Sequence, residues 1–156
     1  MLRTRKTERH LSAAGLRFGI AAARYNADLA DVLLANCLDT LAKAGTDTRD
    51  IKVLRVPGSF EVSAGVARLA RSGKCDCVIG LGVLLQGETR HAQHIGDAVA
   101  HGLTNVSILL GVPTVFGIIT ARNVKQARVR CVGKKHNRGR EAALTAIEMA
   151  RVWKSL

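Results

Sequence analysis

Apolar residues along the chain gather into short continuous runs, separated by stretches in which they recur every three or four positions. The runs at 16–23 (LRFGIAAA) and Cys77–Leu85 predict buried strands, and Ile51–Val56 and 114–120 read as two more strands. After the first run, Asn26 or Asp28 is the expected cap of a helix. Leu29, Val32, Leu33, Asn36, Cys37, Thr40 and Leu41 follow at helical spacing as far as Gly45. Pro57-Gly58 closes the second strand, a helix is expected over 60–71 and another over 89–110, and the remainder after the fourth strand reads as helical. Strands alternating with helices predict an α/β fold: a parallel sheet covered on both faces, with right-handed crossovers. In such folds the ligand crevice lies beyond the carboxyl ends of the strands, here the loops at 24–26, 57–61, 86–91 and 120–123.

With 156 residues, 47% of them hydrophobic and 23% charged, the chain suits one folded domain rather than a disordered segment. The expected division is a basic N-terminal tail over 1–15 and a single domain over 16–156. The longest uncharged stretch, 106–121, is too short to span a bilayer as a helix, and Gly111, Pro113 and Gly117 interrupt it. The opening MLRTRKTERH reads as a solvated tail rather than a targeting signal, because Arg17 breaks the apolar stretch behind it. Cys37, Cys75, Cys77 and Cys131 form no CxxC pair, so they are expected as buried, reduced thiols of a cytoplasmic protein, with no metal site. Lys and Arg number 24 against 12 Asp and Glu, a surplus of +12 that calls for anionic partners without naming them.

The four loops carry residue types suited to a planar, polar ligand bearing an anion. Tyr25 and Phe60, two of only five aromatics, sit just past strand ends, where they either stack on a heterocycle or pack under neighbouring helices. Glu61 stands where a helix begins and is favoured there by the macrodipole even without a ligand. Gly87-Glu88-Thr89 precedes a helix, and its free backbone N–H groups suit a phosphate. His91 has the pKa range to move protons near neutrality, while His94 and His101 read as a helix face. Neither GxGxxG nor a P-loop is present in a suitable place. Eight basic residues lie between positions 122 and 140, a density that suits a solvated face, phosphate or RNA; no aromatics are interleaved for stacking on single strands. Trp153 is expected to pack in the last helix.

Taken together, the motifs resemble those of the lumazine synthase family. Arg24-Tyr25-Asn26 is similar to its R-[FW]-N, VPGSFEV at 56–62 to VPGAFEI, LGVLLQGETRH at 81–91 to LGxVIRGETxH, and PTVFGIIT at 113–120 to PVxFGVLT. Gln126-Ala127-x-x-Arg130 and Asn137-Arg138-Gly139 are similar to QAxxR and NKG. The resemblance implies a flavodoxin-like three-layer sandwich with a four-stranded parallel sheet. It also implies the penultimate step of riboflavin biosynthesis, in which 5-amino-6-(D-ribitylamino)uracil and 3,4-dihydroxy-2-butanone 4-phosphate condense to 6,7-dimethyl-8-ribityllumazine without a cofactor or metal.

Carried over residue by residue, the resemblance puts Tyr25 on the pyrimidine, and Ser59, Phe60 and Glu61 around the ring and ribityl chain. Val83, Leu84 and Leu85 continue that pocket. Gly87, Glu88 and Thr89 match the phosphate loop, and His91 the proton-transfer residue. Arg130 is implied to bind phosphate from the adjacent subunit, and Phe116 to come from that neighbour too. Pentamers are implied, with the short 133–139 segment resembling members that close a 60-subunit shell, and riboflavin synthase is a possible enclosed partner. Gln86, Ala92 and Ser63 depart from the family's usual Arg, aromatic and Pro. These departures and the high charge leave a second reading open: a catalytically silent shell that binds polyanions such as RNA.

Overall fold

The computed structural model describes residues 11–156. Its four parallel strands are β1 (Phe18–Ala23), β2 (Ile51–Val56), β3 (Cys77–Leu85) and β4 (Thr114–Ala121), in the order β2-β1-β3-β4. The register pairs Phe18 with Ile51 and with Cys77, and Val78 with Thr114. Five helices connect and flank them: α1 (Ala27–Lys43), α2 (Val62–Arg71), α3 (His91–Leu110), α4 (Val124–Val132) and α5 (Arg138–Lys154). The α/β three-layer fold expected from the sequence is therefore present.

Strand periodicity divides the core into two layers. On one face Phe18, Ile20, Ile79, Leu81 and Ile119 pack with Leu33, Leu41 and Ile147 of α1 and α5. On the other, Ala21, Val78 and Ile118 meet Val62, Val66, Val99 and Leu103 of α2 and α3. Full burial of such side chains is worth roughly 1.5–3 kcal/mol each. Gly139 sets how closely α5 approaches α1, because a Cβ there would strike the Leu33 carbonyl oxygen. All four cysteines are free and buried, and burial pushes the thiols of Cys37 and Cys131 up to about 12 and about 11.

Several local expectations shift. β1 starts at Phe18 rather than at residue 16, since Leu16 closes a turn by donating to the Ala13 carbonyl. Ala13 is buried, and the Arg151 guanidinium donates to the carbonyls of Ser12 and Ala14. Arg3, Arg5, Lys6 and Arg9 of the expected tail lie outside the described residues. Residues Ser59–Glu61 form a separate 3₁₀ turn before α2, so the helix expected at 60 begins at Val62. Trp153 stays 41% exposed, and its indole N–H donates to the Gly111 carbonyl at 3.1 Å. No described helix is long and apolar enough to cross a membrane.

Candidate active site

At the carboxyl ends of β1 and β3 a cavity of about 790 Å³ opens. It is lined by Tyr25, Ser59, Phe60, Glu61, Val83, Leu84, Leu85, Gly87, Thr89 and His91 among others, so three of the four expected loops meet there, while the fourth, 120–123, borders the cavity at β4 through Thr120 and Ala121 instead. The carboxyl end of the apolar strand β3, Val83–Leu85, contributes to the wall.

Three contacts hold the loops in register. The backbone N–H groups of Arg24 and Tyr25 both donate to the Pro57 carbonyl at 3.0 Å, tying the first loop to the second. Asn26 adopts a left-handed backbone, φ 57°, at the start of α1. Its side chain does not cap the helix as expected; its Nδ2 donates to the Val83 carbonyl at 2.8 Å and fastens the loop to β3. Asn tolerates this conformation better than most residues, which fits its place there. Glu61 turns back so that its Oε2 accepts the Gly58 N–H at 2.9 Å, a structural use of the carboxylate beside its place on the cavity wall.

Tyr25 and Phe60 are 69% and 61% exposed, so they do not pack under helices in the chain alone. Gly58 lies so close under the Tyr25 ring that a Cβ would stand 2.8 Å from Cδ2. Ser59, by contrast, is 4% exposed and packs against Gly82 of β3. The remaining polar groups come from the approach to α3. The Thr89 hydroxyl accepts the His91 N–H at 3.4 Å, and α3 starts at His91, two residues later than expected. The amides of Gly87, Glu88, Thr89 and Arg90 make no backbone hydrogen bond among the described residues. They are available to an anion at the positive end of a 20-residue helix.

Not every expected residue lines this cavity. Glu88 is exposed and does not line it. Arg130 and Phe116 border a different cavity, of about 520 Å³, at the free edge of β4, which shares no lining residue with the first. In that second cavity Arg138 engages Glu141 at 2.6 Å, while Arg130 has no carboxylate partner among the described residues. Asn123 and Asn137 cap α4 and α5 by accepting from Gln126 N and Arg140 N, which fixes the helix carrying Arg130.

Five residues outside the sequence-based site set line the first cavity: Asn26, Gly58, Ala92, His94 and Ile95. His94 stands one turn beyond His91, and the i, i+3 spacing was the available signal that both imidazoles face one side. Ala92 also lines the cavity, where a larger side chain would narrow it. No three His, Cys, Asp or Glu side chains among the described residues converge as metal donors.

Residues 15–154 match the family model described as 6,7-dimethyl-8-ribityllumazine synthase. The protein named 6,7-dimethyl-8-ribityllumazine synthase from Aquifex aeolicus (strain VF5) is 46% identical over 149 residues, covering 96% of this chain and 97% of that one. With the four-stranded fold and the converging loops already in place, this match over nearly the whole length settles the affiliation: the chain belongs to the 6,7-dimethyl-8-ribityllumazine synthase family.

Proposed function

We propose that the cavity at the ends of β1 and β3 is the pyrimidine half of the active site, and that the β4-edge cavity of an adjacent subunit completes it with Arg130 and Phe116. The chain is a transferase of riboflavin biosynthesis: it condenses 5-amino-6-(D-ribitylamino)uracil with 3,4-dihydroxy-2-butanone 4-phosphate to 6,7-dimethyl-8-ribityllumazine, releasing phosphate and water. The observation that carries the proposal for the site is the convergence of Tyr25, Phe60, Gly87, Thr89 and His91 on one cavity.

The residue types suit the chemistry. The exposed faces of Tyr25 and Phe60 offer stacking surface to a pyrimidine, and Ser59 and Glu61 border its ribityl chain. Val83, Leu84 and Leu85 supply an apolar wall that limits water around the ring. The amides at 87–89, with Glu88 contributing its backbone, hold the phosphate together with the neighbour's Arg130. The 5-amino nitrogen attacks the ketone to give an imine and water. Phosphate then departs, and the ribitylamino nitrogen closes the second ring with loss of a further water. His91, at the start of α3, moves the protons these steps require. Holding both substrates together supplies the larger share of the acceleration, since effective molarities can reach roughly 10⁵ M or more. No cofactor or metal has a role in these steps.

An association of subunits is supported by apolar side chains that a single chain leaves in water. Ile108 is 73% exposed, Leu109 79% and Phe116 46%. The proposed assembly is a pentamer, with pentamers closing a 60-subunit shell that has room for riboflavin synthase, in the cytoplasm. Residues 16–156 form the working unit, and of the segment before it Ala13 packs into the same core. The silent polyanion-binding shell is not favoured, because the family's reaction and the loops that serve it are both present.

The test mixes the purified chain with both substrates and follows the lumazine by absorbance and mass above the uncatalysed rate. Saturable acceleration that is lost in a Tyr25→Ala, Phe60→Ala double variant supports the site. Background-rate product from the intact oligomer contradicts it.

A further inference from the structure

The opposite end of the sheet carries a third cavity, of about 620 Å³, which the condensation does not use. It lies at the amino ends of β1 and β2, roughly 20 Å along the strands from the first. Parallel α/β sheets place their usual ligands at the other end, so the fold's ordinary site does not account for it.

Its origin is visible in the strand pattern. Lys52 and Leu54 share the face of β2 that looks toward α2, but the ten-residue α2 lies mainly over β1 and β3. At about 1.5 Å per residue it is too short to cover the amino end of the edge strand as well. Gly19, opposite Lys52 in register, lets Leu69 and Cys75 settle directly onto β1, since a Cβ there would stand 3.0 Å from Cys75 Sγ and 3.2 Å from Leu69 Cβ. The floor is apolar, made by Leu54, Leu69 and Cys75, and the rim carries Arg17, Arg49, Lys52, Arg68 and Lys74.

Only part of that charge is satisfied within the chain. Arg17 pairs with Asp76 at 3.1 Å and Arg49 with Asp47 at 2.9 Å, and Asp50 lies on the rim. Lys52, Arg68 and Lys74 are exposed and have no carboxylate partner among the described residues. A concave apolar floor ringed by surplus cations favours a ligand that buries a hydrocarbon or aromatic body and leaves an anion at the rim.

We propose that this cavity is a second ligand site, for a small organic anion carrying a carboxylate, phosphate or sulfonate on an apolar body. Charge argues against the chain itself as occupant: residues 1–10 hold Arg3, Arg5, Lys6 and Arg9 against Glu8, and nowhere in the sequence are two acidic residues adjacent. The cationic rim repels the first and finds no acidic segment to attract in a second copy.

The full chain in its native assembly is titrated with anilinonaphthalene sulfonate, an aromatic sulfonate whose fluorescence rises on apolar surfaces. The expected result is saturable binding that weakens about tenfold in the Lys52→Glu, Lys74→Glu double variant and is retained in Lys52→Arg, Lys74→Arg. Lumazine formation stays at the wild-type rate in both variants, since neither residue borders the catalytic cavity. Phenylnaphthylamine, the same kind of body without the sulfonate, binds wild type and charge-reversed protein alike. The proposal is overturned if wild type shows no saturable binding, or if charge reversal leaves the sulfonate affinity unchanged. It is equally overturned if inorganic phosphate displaces the probe in step with inhibiting turnover, which would put the probe in the active site.

Discussion

Gly58→Ala probes the claim that the Tyr25 ring is a substrate platform held in place by close backbone packing. The Gly58 backbone, φ −128° and ψ 177°, is ordinary extended chain, so alanine adds no backbone strain. A Cβ would stand 2.8 Å from Tyr25 Cδ2 and 3.0 Å from Glu61 Oε2, where ordinary contact begins at 3.4 Å. The ring must therefore withdraw by about 0.6 Å, the difference between 3.4 and 2.8 Å, and the carboxylate by about 0.4 Å. Because Tyr25 is mostly exposed, it moves at little cost to folding. The Gly58–Glu61 hydrogen bond, to an exposed carboxylate that can follow by a few tenths of an ångström, stands to lose about 1 kcal/mol of its roughly 1.5–3, which for a chain of this size shifts Tm by roughly 2–4 °C. Stacking worth about 0.5–1.5 kcal/mol is what the substrate stands to lose, and displacements approaching 1 Å cost up to about a hundredfold in rate. Steady-state lumazine formation with each substrate varied in turn should show kcat/KM for the pyrimidine falling about tenfold to a hundredfold. Calorimetry should show little change. An unchanged kcat/KM, or an activity loss explained wholly by unfolding, refutes the reasoning.

Replacing His91 with alanine should slow turnover by about 10²–10⁴-fold without abolishing it, measured as single-turnover product formation; an unaltered rate removes the proton-transfer role. Arg130→Ala should raise KM for the phosphate substrate about tenfold or more and leave that for the pyrimidine nearly unchanged. The Ser63 hydroxyl is buried without a partner, so Ser63→Ala should stabilise the fold by about 1 kcal/mol, read as a higher urea midpoint. Burial pushes the Asp76 carboxyl up, but hydrogen bonds from Arg17 and the charges of Arg17 and Lys154 outweigh it and hold it below the ordinary carboxylate range. A lowered pKa contributes stability that is full above the unfolded value, near 3.9, and is lost as pH falls through the folded one. Acid titration of unfolding should therefore show Asp76→Asn with a shallower loss of stability below about pH 4 than wild type.

Period and punctuation made the sheet legible in the sequence. A continuous apolar run marked β3 to the residue, Pro57-Gly58 marked the end of β2, and Gly45 and Gly111 stopped helices where left-handed backbone requires them. Asn26 shows what local rules miss. Its residue type pointed to a helix cap, but the partner that claims its side chain is the Val83 carbonyl, 57 positions away. The 3₁₀ turn at Ser59–Glu61 arose for a related reason: Glu61 folds back on Gly58, which tightens the chain before α2 can begin. The loops of the first cavity were readable because each follows a strand and the fold brings strand ends together. His94 escaped because its neighbours on α3 suggested only a helix face. The cationic cavity had no sequence signal, since its rim is assembled from Arg17, Arg49, Lys52, Arg68 and Lys74, drawn from separate segments with no motif in common.

The central claim, that one active site is built from two subunits, is met most directly by complementation. His91→Ala and Arg130→Ala chains, each inactive or slow alone, are co-expressed in equal amounts and the mixed oligomers assayed for lumazine formation. If each site takes His91 from one subunit and Arg130 from its neighbour, about a quarter of the sites in a random mixture are intact, and activity should return to about that fraction of wild type. Activity that remains at the mean of the two single variants would contradict a shared site.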